Sequence, residues 1–324
     1  MKPHCRITVA AALAGCTLAA PPLWAQKFPD KNVRIVVPFG TGGGTDVFAR
    51  LLAQRWSETY GQQFVVDNRP GAGSTLGTEH VARSPADGYT LLMTSASYAY
   101  TPGLYSKLRY DPLKDLAAVS QVVSVPFVIC VLPSLPVKDI RDFVRLARER
   151  PEQVLYASAG PGSAMHLAGA LFGVATRTKL THVPYKGGAQ TATAVMSGEA
   201  TLAFNTPETV MGLLQAKRLR ALAVSTRERA PALPGVPTAI ESGFKDYEAV
   251  GWFGLFAPAK TPAAVVEQVS GDVAKTMALP AVRERALQVG ATPVGNSPVQ
   301  FDRFVRDEIV KWTRIIRDAG IRLE

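Results

Sequence analysis

The sequence predicts an α/β protein of two lobes, each a mostly parallel sheet flanked by helices. Three observations carry that expectation. Strand-like and helix-like runs alternate from residue 33 onward, the pattern of sheets linked by crossover helices. A strand, a glycine loop and a helix occur near residue 40 and recur near residue 160, so the second half repeats the opening of the first. Two apolar stretches, 117–132 and 252–257, suit segments that cross between lobes. The expected division is 26–125 for the first lobe, 126–250 for the second and 251–324 for the return to the first.

In chain order, Val33–Phe39 reads as the first strand. The helix after Asp46 would place Val47, Leu51, Leu52 and Trp56 on one face. Gln63–Asp67 is a second strand, and Pro70-Gly71-Ala72-Gly73-Ser74 is a glycine turn opening a helix up to Arg83. Asp87-Gly88 turns the chain into a third strand, Tyr89–Thr94, with Ser95 to Tyr100 at its C-terminal end, where open α/β sheets hold ligands. The 117–132 run contains Pro126, awkward inside one central strand and natural where a strand passes between lobes. A helix at 137–149 would bury Ile140, Phe143, Val144 and Ala147. Leu155–Ser158 is a strand, and Ala159-Gly160-Pro161-Gly162-Ser163 opens a helix through His166 to Ala175. Strands follow at Thr181–Pro184, Leu202–Phe204 and Leu219–Val224; a helix between the first two ends near Gly198, and Pro207 suits a first helical turn. Residues 227–248 are loop-rich, with one short helix expected near Thr238–Ser242. Thr261-Pro262 starts a helix carrying Val265, Val269, Val273 and Met277, and Ser297-Pro298 starts a last long helix ended by Gly320.

The chain has 324 residues, 47% hydrophobic and 19% charged, enough for two ordinary α/β domains. Its formal charge of +10 is spread out, with no basic run dense enough to track a phosphate backbone, so nucleic acid is not an expected partner. Lys2, Arg6 and the apolar Ile7–Ala20 stretch have the form of a secretory leader. Leu23-Trp24-Ala25 suits cleavage after Ala25, giving residues 1–25 as the signal peptide. Leu13-Ala14-Gly15-Cys16 has the form of a lipobox and gives the competing reading, a lipid anchor on Cys16. Cleavage after Ala25 also removes Cys5 and Cys16 and lowers the charge from +10 to +8, leaving Cys130 alone as a small core residue.

The nine residues Pro38 to Asp46 hold four glycines between a strand and a helix, a geometry that aims backbone N–H groups and a helix's positive end at an anion. The alternative is a flexible turn that binds nothing. No Walker A motif, nucleophile elbow or metal-spaced cluster is present, and the glycine loop misses the last position of the dinucleotide fingerprint. No cofactor, metal or catalytic set is therefore expected. His166, three residues after Ser163, either orders its loop or serves a hydrolase or isomerase of small carboxylates. Asp46 either caps its helix, orders the glycine loop or accepts a ligand's ammonium or hydroxyl. Thr41, Thr45, Ser95, Ser158 and Ser163 place hydroxyls at loop positions, and with the glycine loops they describe a site of neutral donors suited to a carboxylate. Tyr98, Tyr100 and Trp252 either line the cleft, favouring an aromatic or flat carboxylate, or belong to the core edge.

Those motifs, taken together, are highly specific. Val37-Pro38-Phe39 with Gly42-Gly43-Gly44-Thr45-Asp46, Asn68-Arg69-Pro70-Gly71-Ala72-Gly73, Asp87-Gly88-Tyr89-Thr90-Leu91, Tyr156-Ala157-Ser158-Ala159-Gly160, Ser163 with His166-Leu167-Ala168, Val183-Pro184-Tyr185-Lys186-Gly187, Leu219 to Val224 and Trp252-Phe253-Gly254 occur in order. With them the chain resembles the periplasmic solute-binding receptors of the tripartite tricarboxylate transporter family, the Bug proteins, over essentially all of 26–324. The resemblance implies a type II periplasmic-binding-protein fold with two lobes that close on a ligand. It implies a carboxylate held by backbone amides and waters of the Gly40–Asp46 and Ser158–Ser163 loops. The residues then expected at the ligand are Phe39, Thr41, Gly42, Gly43, Thr45, Asp46, Ser95, Ser158, Ala159, Gly160, Ser163, His166 and Asn205. Partners implied are a small carboxylate and the membrane permease subunits, served by a periplasmic monomer; presentation to a signalling partner is the alternative. Asn205-Thr206 stands where the family commonly has Asp-Asn, and Met165 and Ala170 also depart from its pattern.

Overall fold

The computed structural model describes residues 28–185 and 187–322. The expected leader with Cys5, Cys16 and its cleavage site, and Lys186, lie outside them. The first third of the chain forms β1 (Val33–Val37), α1 (Gly44–Tyr60), β2 (Phe64–Asn68), α2 (Thr75–Ala82), β3 (Thr90–Ser95), α3 (Ser97–Leu104) and β4 (Leu116–Pro126). Then come β5 (Val128–Val131), α4 (Ile140–Glu149), β6 (Val154–Ser158), α5 (Ala164–Thr176), β7 (Leu180–Pro184), α6 (Gly188–Ser197), β8 (Leu202–Asn205), α7 (Pro207–Gln215) and β9 (Arg220–Val224). The chain closes with β10 (Val250–Pro258), α8 (Ala263–Ala278), α9 (Pro280–Gln288), β11 (Thr292–Pro293) and α10 (Pro298–Asp318).

The strands form two sheets, ordered β11-β4-β10-β3-β1-β2 and β7-β6-β8-β5-β9. Each is mixed, with most of its strands pointing the same way, as expected. β1 runs parallel to β2 and β3, and β6 parallel to β7 and β8, while every other pairing is antiparallel. The cause lies in the passages. β5, the first strand after the chain enters the second sheet, inserts between β8 and β9; β10, the first after it returns, inserts between β3 and β4. Apart from the short edge strand β11, β2-β1-β3-β10-β4 and β7-β6-β8-β5-β9 share one connectivity. The 117–132 stretch is thus two strands in two sheets, broken at Pro126-Phe127. The 252–257 stretch does not cross: it lies wholly in the first sheet, and the return passage precedes it at Ala249.

The core corrects several expectations. Helix α1 buries Phe48, Ala49, Leu52, Ala53 and Trp56, and its face is rotated from the expected one, leaving Val47 exposed. Tyr98, Tyr100 and Trp252 do not line a cleft; all three are fully buried. Tyr98 stacks on Phe256, Tyr100 packs on Trp312, and Trp252 meets Phe301 and Phe304 edge-on. Helix α4 buries Ile140, Phe143, Val144 and Ala147 as read from its spacing, and Asp139 caps it. The Thr238–Ser242 helix is absent: Thr238 and Glu241 cap each other reciprocally, but Gly243, at φ +100°, ends the turn at once.

Candidate functional site

Both glycine loops lie at corresponding places, after the C-terminal ends of β1 and β6 in the shared connectivity. In the first, Thr41, Gly42 and Gly43 are exposed, while Thr45 and Asp46 are buried. Gly42 sits at φ +83°, where a side chain is strained. Asp46 acts as a clamp on this turn. Its Oδ2 accepts from Gly42 N and from Arg50 Nε, both at 2.9 Å, and its Oδ1 accepts from Asn68 Nδ2 at 2.9 Å. Asn68 Nδ2 also donates to the Phe39 carbonyl, and Arg50 donates to Asn68 Oδ1. Burial raises the Asp46 pKa, and the donors Arg50, Gly42 and Asn68 outweigh it, holding the carboxyl below its ordinary value. Asp46 therefore orders the loop from behind rather than capping the helix at its end. A Cβ at Gly44 would lie 2.6 Å from Phe253 Cζ, so any side chain there would displace that ring. The first N–H groups of α1, as in any helix, have no acceptor within the helix itself.

The second loop is built the same way from other residues. Ser158 is fully buried; its Oγ accepts from Gly160 N at 3.1 Å and lies 2.6 Å from His182 Nε2. His166 Nδ1 accepts from Gly162 N at 3.1 Å, which places the neutral ring's proton on Nε2. Ser163 caps α5 by accepting from His166 N. The His166 and His182 rings stack with centroids 4.0 Å apart. Burial, then the neighbouring His182, pushes the His166 pKa down to about 4, and burial lowers that of His182. A Ser163–His166 nucleophile pair does not form: the ring turns to Gly162 and the hydroxyl to a backbone N–H. Gly160 and Gly162 take φ of +109° and +74°, and Ala159 and Gly160 are half-buried at the loop's surface.

Ser95 joins a chain of hydroxyls at the end of β3, 3.0 Å from Ser97 Oγ, which is 3.3 Å from Ser74 Oγ. Asn205, fully buried at the end of β8, accepts from Thr191 Oγ1 at 2.6 Å, and its Nδ2 has no partner among the described residues. From α7, Glu208 reaches the first loop: its Oε1 lies 3.4 Å from the point a Gly44 Cβ would occupy. Sequence reasoning assigned no role to Arg50, Asn68, Ser74, Ser97, Thr191 or Glu208. Asn68 and Ser74 stood in or beside a quoted motif, and Glu208 carried only the sign of a helix start. Among the described residues no group of three His, Cys, Asp or Glu is arranged to hold a metal ion.

Residues 48–321 match the family described as the tripartite tricarboxylate transporter family receptor. The chain belongs to that family. It is 34% identical over 307 residues to protein BugT of Bordetella pertussis, covering 94% of each chain. Among solved structures, it is 37% identical to a protein of R. palustris with adipate, at a TM-score of 0.83, over 91% of this chain and all of that one. It is 30% identical to MatC of Rhodopseudomonas palustris with bound malate, at a TM-score of 0.79, over 89% of this chain and all of that one. The periplasmic binding protein BugD gives 32% identity, a TM-score of 0.81, and coverage of 91% and 100%. The receptor shares their type II periplasmic-binding-protein fold, and the family is one of solute-binding proteins, not enzymes.

Proposed function

We propose that this receptor captures a small carboxylate in the periplasm and delivers it to the permease of a tripartite transporter. Its lobes would be 26–125 with 251–324, and 126–250; sheet membership changing at Pro126-Phe127 and at Ala249 supports that division. The observation that carries the reading is the pair of clamped glycine loops, each opening a helix at the same place in a repeated topology. A helix N-terminus reached through glycines offers an anion backbone N–H groups and a favourable dipole end without a counter-charge. The adipate and malate bound by relatives agree with that chemistry. Among the expected ligand residues, Phe39, Thr41, Gly42, Gly43, Ala159 and Gly160 would meet the carboxylate chiefly through backbone. Asp46, Ser158, Ser163 and His166 would hold the loops in shape, and Thr45, Ser95 and Asn205 would line the floor.

Capture at micromolar affinity corresponds to about −8 kcal/mol. Thermal shift and calorimetry on the mature protein, against a panel of mono-, di- and tricarboxylates with neutral and cationic controls, test the reading. Carboxylates are expected to raise the melting temperature. A response to neutral or cationic ligands alone would overturn it. Delivery is tested by uptake into vesicles holding the permease, which should require the loaded receptor.

A further inference from the structure

Glu208 is an acidic side chain set against a loop that suits an anion. It belongs to α7, of the second sheet's half, yet its Oε1 lies 3.4 Å from the Cβ position of Gly44, the first residue of α1 in the other half. The Phe253 ring approaches the same point more closely, its Cζ 2.6 Å away. Burial raises the Glu208 pKa, and the Thr206 hydroxyl and the residue's own N–H, both at the first turn of its helix, oppose that. Capping α7 would need no reach across to α1, so a capping role leaves that approach unexplained.

A ligand carboxylate seated on the first N–H groups of α1 would stand within a few ångströms of Glu208. Two bare carboxylates at that range oppose each other's ionisation. The conflict is removed if the ligand carries a hydrogen-bond donor on the carbon next to its carboxylate, because Glu208 then accepts from that donor while the helix terminus holds the anion. The buried Nδ2 of Asn205, three residues before Glu208 and without a partner among the described residues, would supply a further donor for an acceptor on the ligand. We propose that Glu208 is a specificity-determining residue that selects 2-amino or 2-hydroxy carboxylates over the unsubstituted acids of the same length. The proposal rests on the carboxylate-receptor reading and narrows its substrate class.

Two matched series test it: hexanoate, 2-hydroxyhexanoate and 2-aminohexanoate, and succinate, malate and aspartate. Calorimetry on the mature protein should show a 2-substituted member binding about tenfold or more tightly than its parent acid, as a charge-assisted hydrogen bond predicts. In Glu208→Gln that ratio should fall by about tenfold, with Glu208→Ala giving the same loss and circular dichroism checking that both fold. An unchanged ratio in both variants overturns the proposal while leaving the receptor reading intact. A wild-type preference for the unsubstituted acid also overturns it. If no carboxylate in the wider panel binds wild type at all, the receptor reading itself fails, and this one with it.

Discussion

Asp46 is a buried carboxylate whose two oxygens already accept from Gly42, Arg50 and Asn68. Replacing it with alanine leaves the Gly42 N–H and the Asn68 amide without that acceptor. The expected cost is about 1–3 kcal/mol, less than a fully desolvated charge because Arg50 is half exposed. Urea unfolding of Asp46→Ala should show that loss, and carboxylate affinity should fall with it because the loop is no longer held. Unchanged stability and affinity would remove the clamp from the account. Gly43 gives the complementary test. Its φ of −76° suits any residue, and a Cβ there meets nothing within 4 Å. Gly43→Val should therefore keep its melting temperature while losing about tenfold or more in carboxylate affinity, by covering the N–H groups behind it. Normal binding would count against this loop as the anion site. Composition told the two kinds of residue apart only in part. Glycines and hydroxyls marked where the loops are, but whether Ser158, Ser163, His166 and Asp46 face the ligand or brace the backbone depends on burial, which residue type alone does not set.

The loop from Ser158 to His166, with its neighbour β7, links that bracing to pH. His166 must stay neutral at Nδ1 to accept from Gly162, and its pKa is pushed from 6.5 down to about 4. The unfolded chain binds a proton near pH 6.5 that the folded loop refuses, so stability is full above that pH and falls as pH drops toward 4. The loss due to His166 amounts to about 3 kcal/mol by pH 4. His182 is shifted in the same direction. Denaturant unfolding at pH 7, 5.5 and 4.5 should show a steeper decline in wild type than in His166→Gln; parallel curves would mean the loop does not sense the proton. At this scale the sequence was most readable where burial is periodic and long. Helix α10, read from its Ser297-Pro298 start to Gly320, buries Phe301, Val305, Trp312 and Ile316 at helical spacing. It hid Glu308, which is buried because Trp312 Nε1 donates to it at 2.9 Å. Helix α9 went unread because it buries only Pro-flanked Val282 and Ala286 among charges, and α3 because Tyr98 and Tyr100 read as strand-end aromatics.

Across the whole molecule, two passages connect the sheets, and Ser225 ties them together. Its Oγ accepts from Phe127 N at 2.8 Å in the outgoing passage and donates to the Ala249 carbonyl in the returning one. Its own N–H donates to Phe127 O, and its carbonyl accepts from Ala249 N. Ser225 is fully buried and directly follows β9, the edge strand of the second sheet. In the sequence Pro126 marked the outgoing passage, while the returning one precedes the apolar run read as crossing, and a serine ending an alanine-rich strand gave no sign that it joins them, since its partners are 98 and 24 residues away. Alanine at 225 would leave the buried Phe127 N–H without an acceptor, at about 1–3 kcal/mol and a few degrees of melting temperature. Any movement of one half against the other must turn about these passages, so loosening them shifts the balance between open and closed forms. Ser225→Ala is therefore expected to change carboxylate affinity severalfold without touching the glycine loops, and to alter the compaction that scattering records when ligand is added. Lower stability with unaltered affinity and compaction would reduce Ser225 to a structural staple, and unaltered stability would deny it even that role.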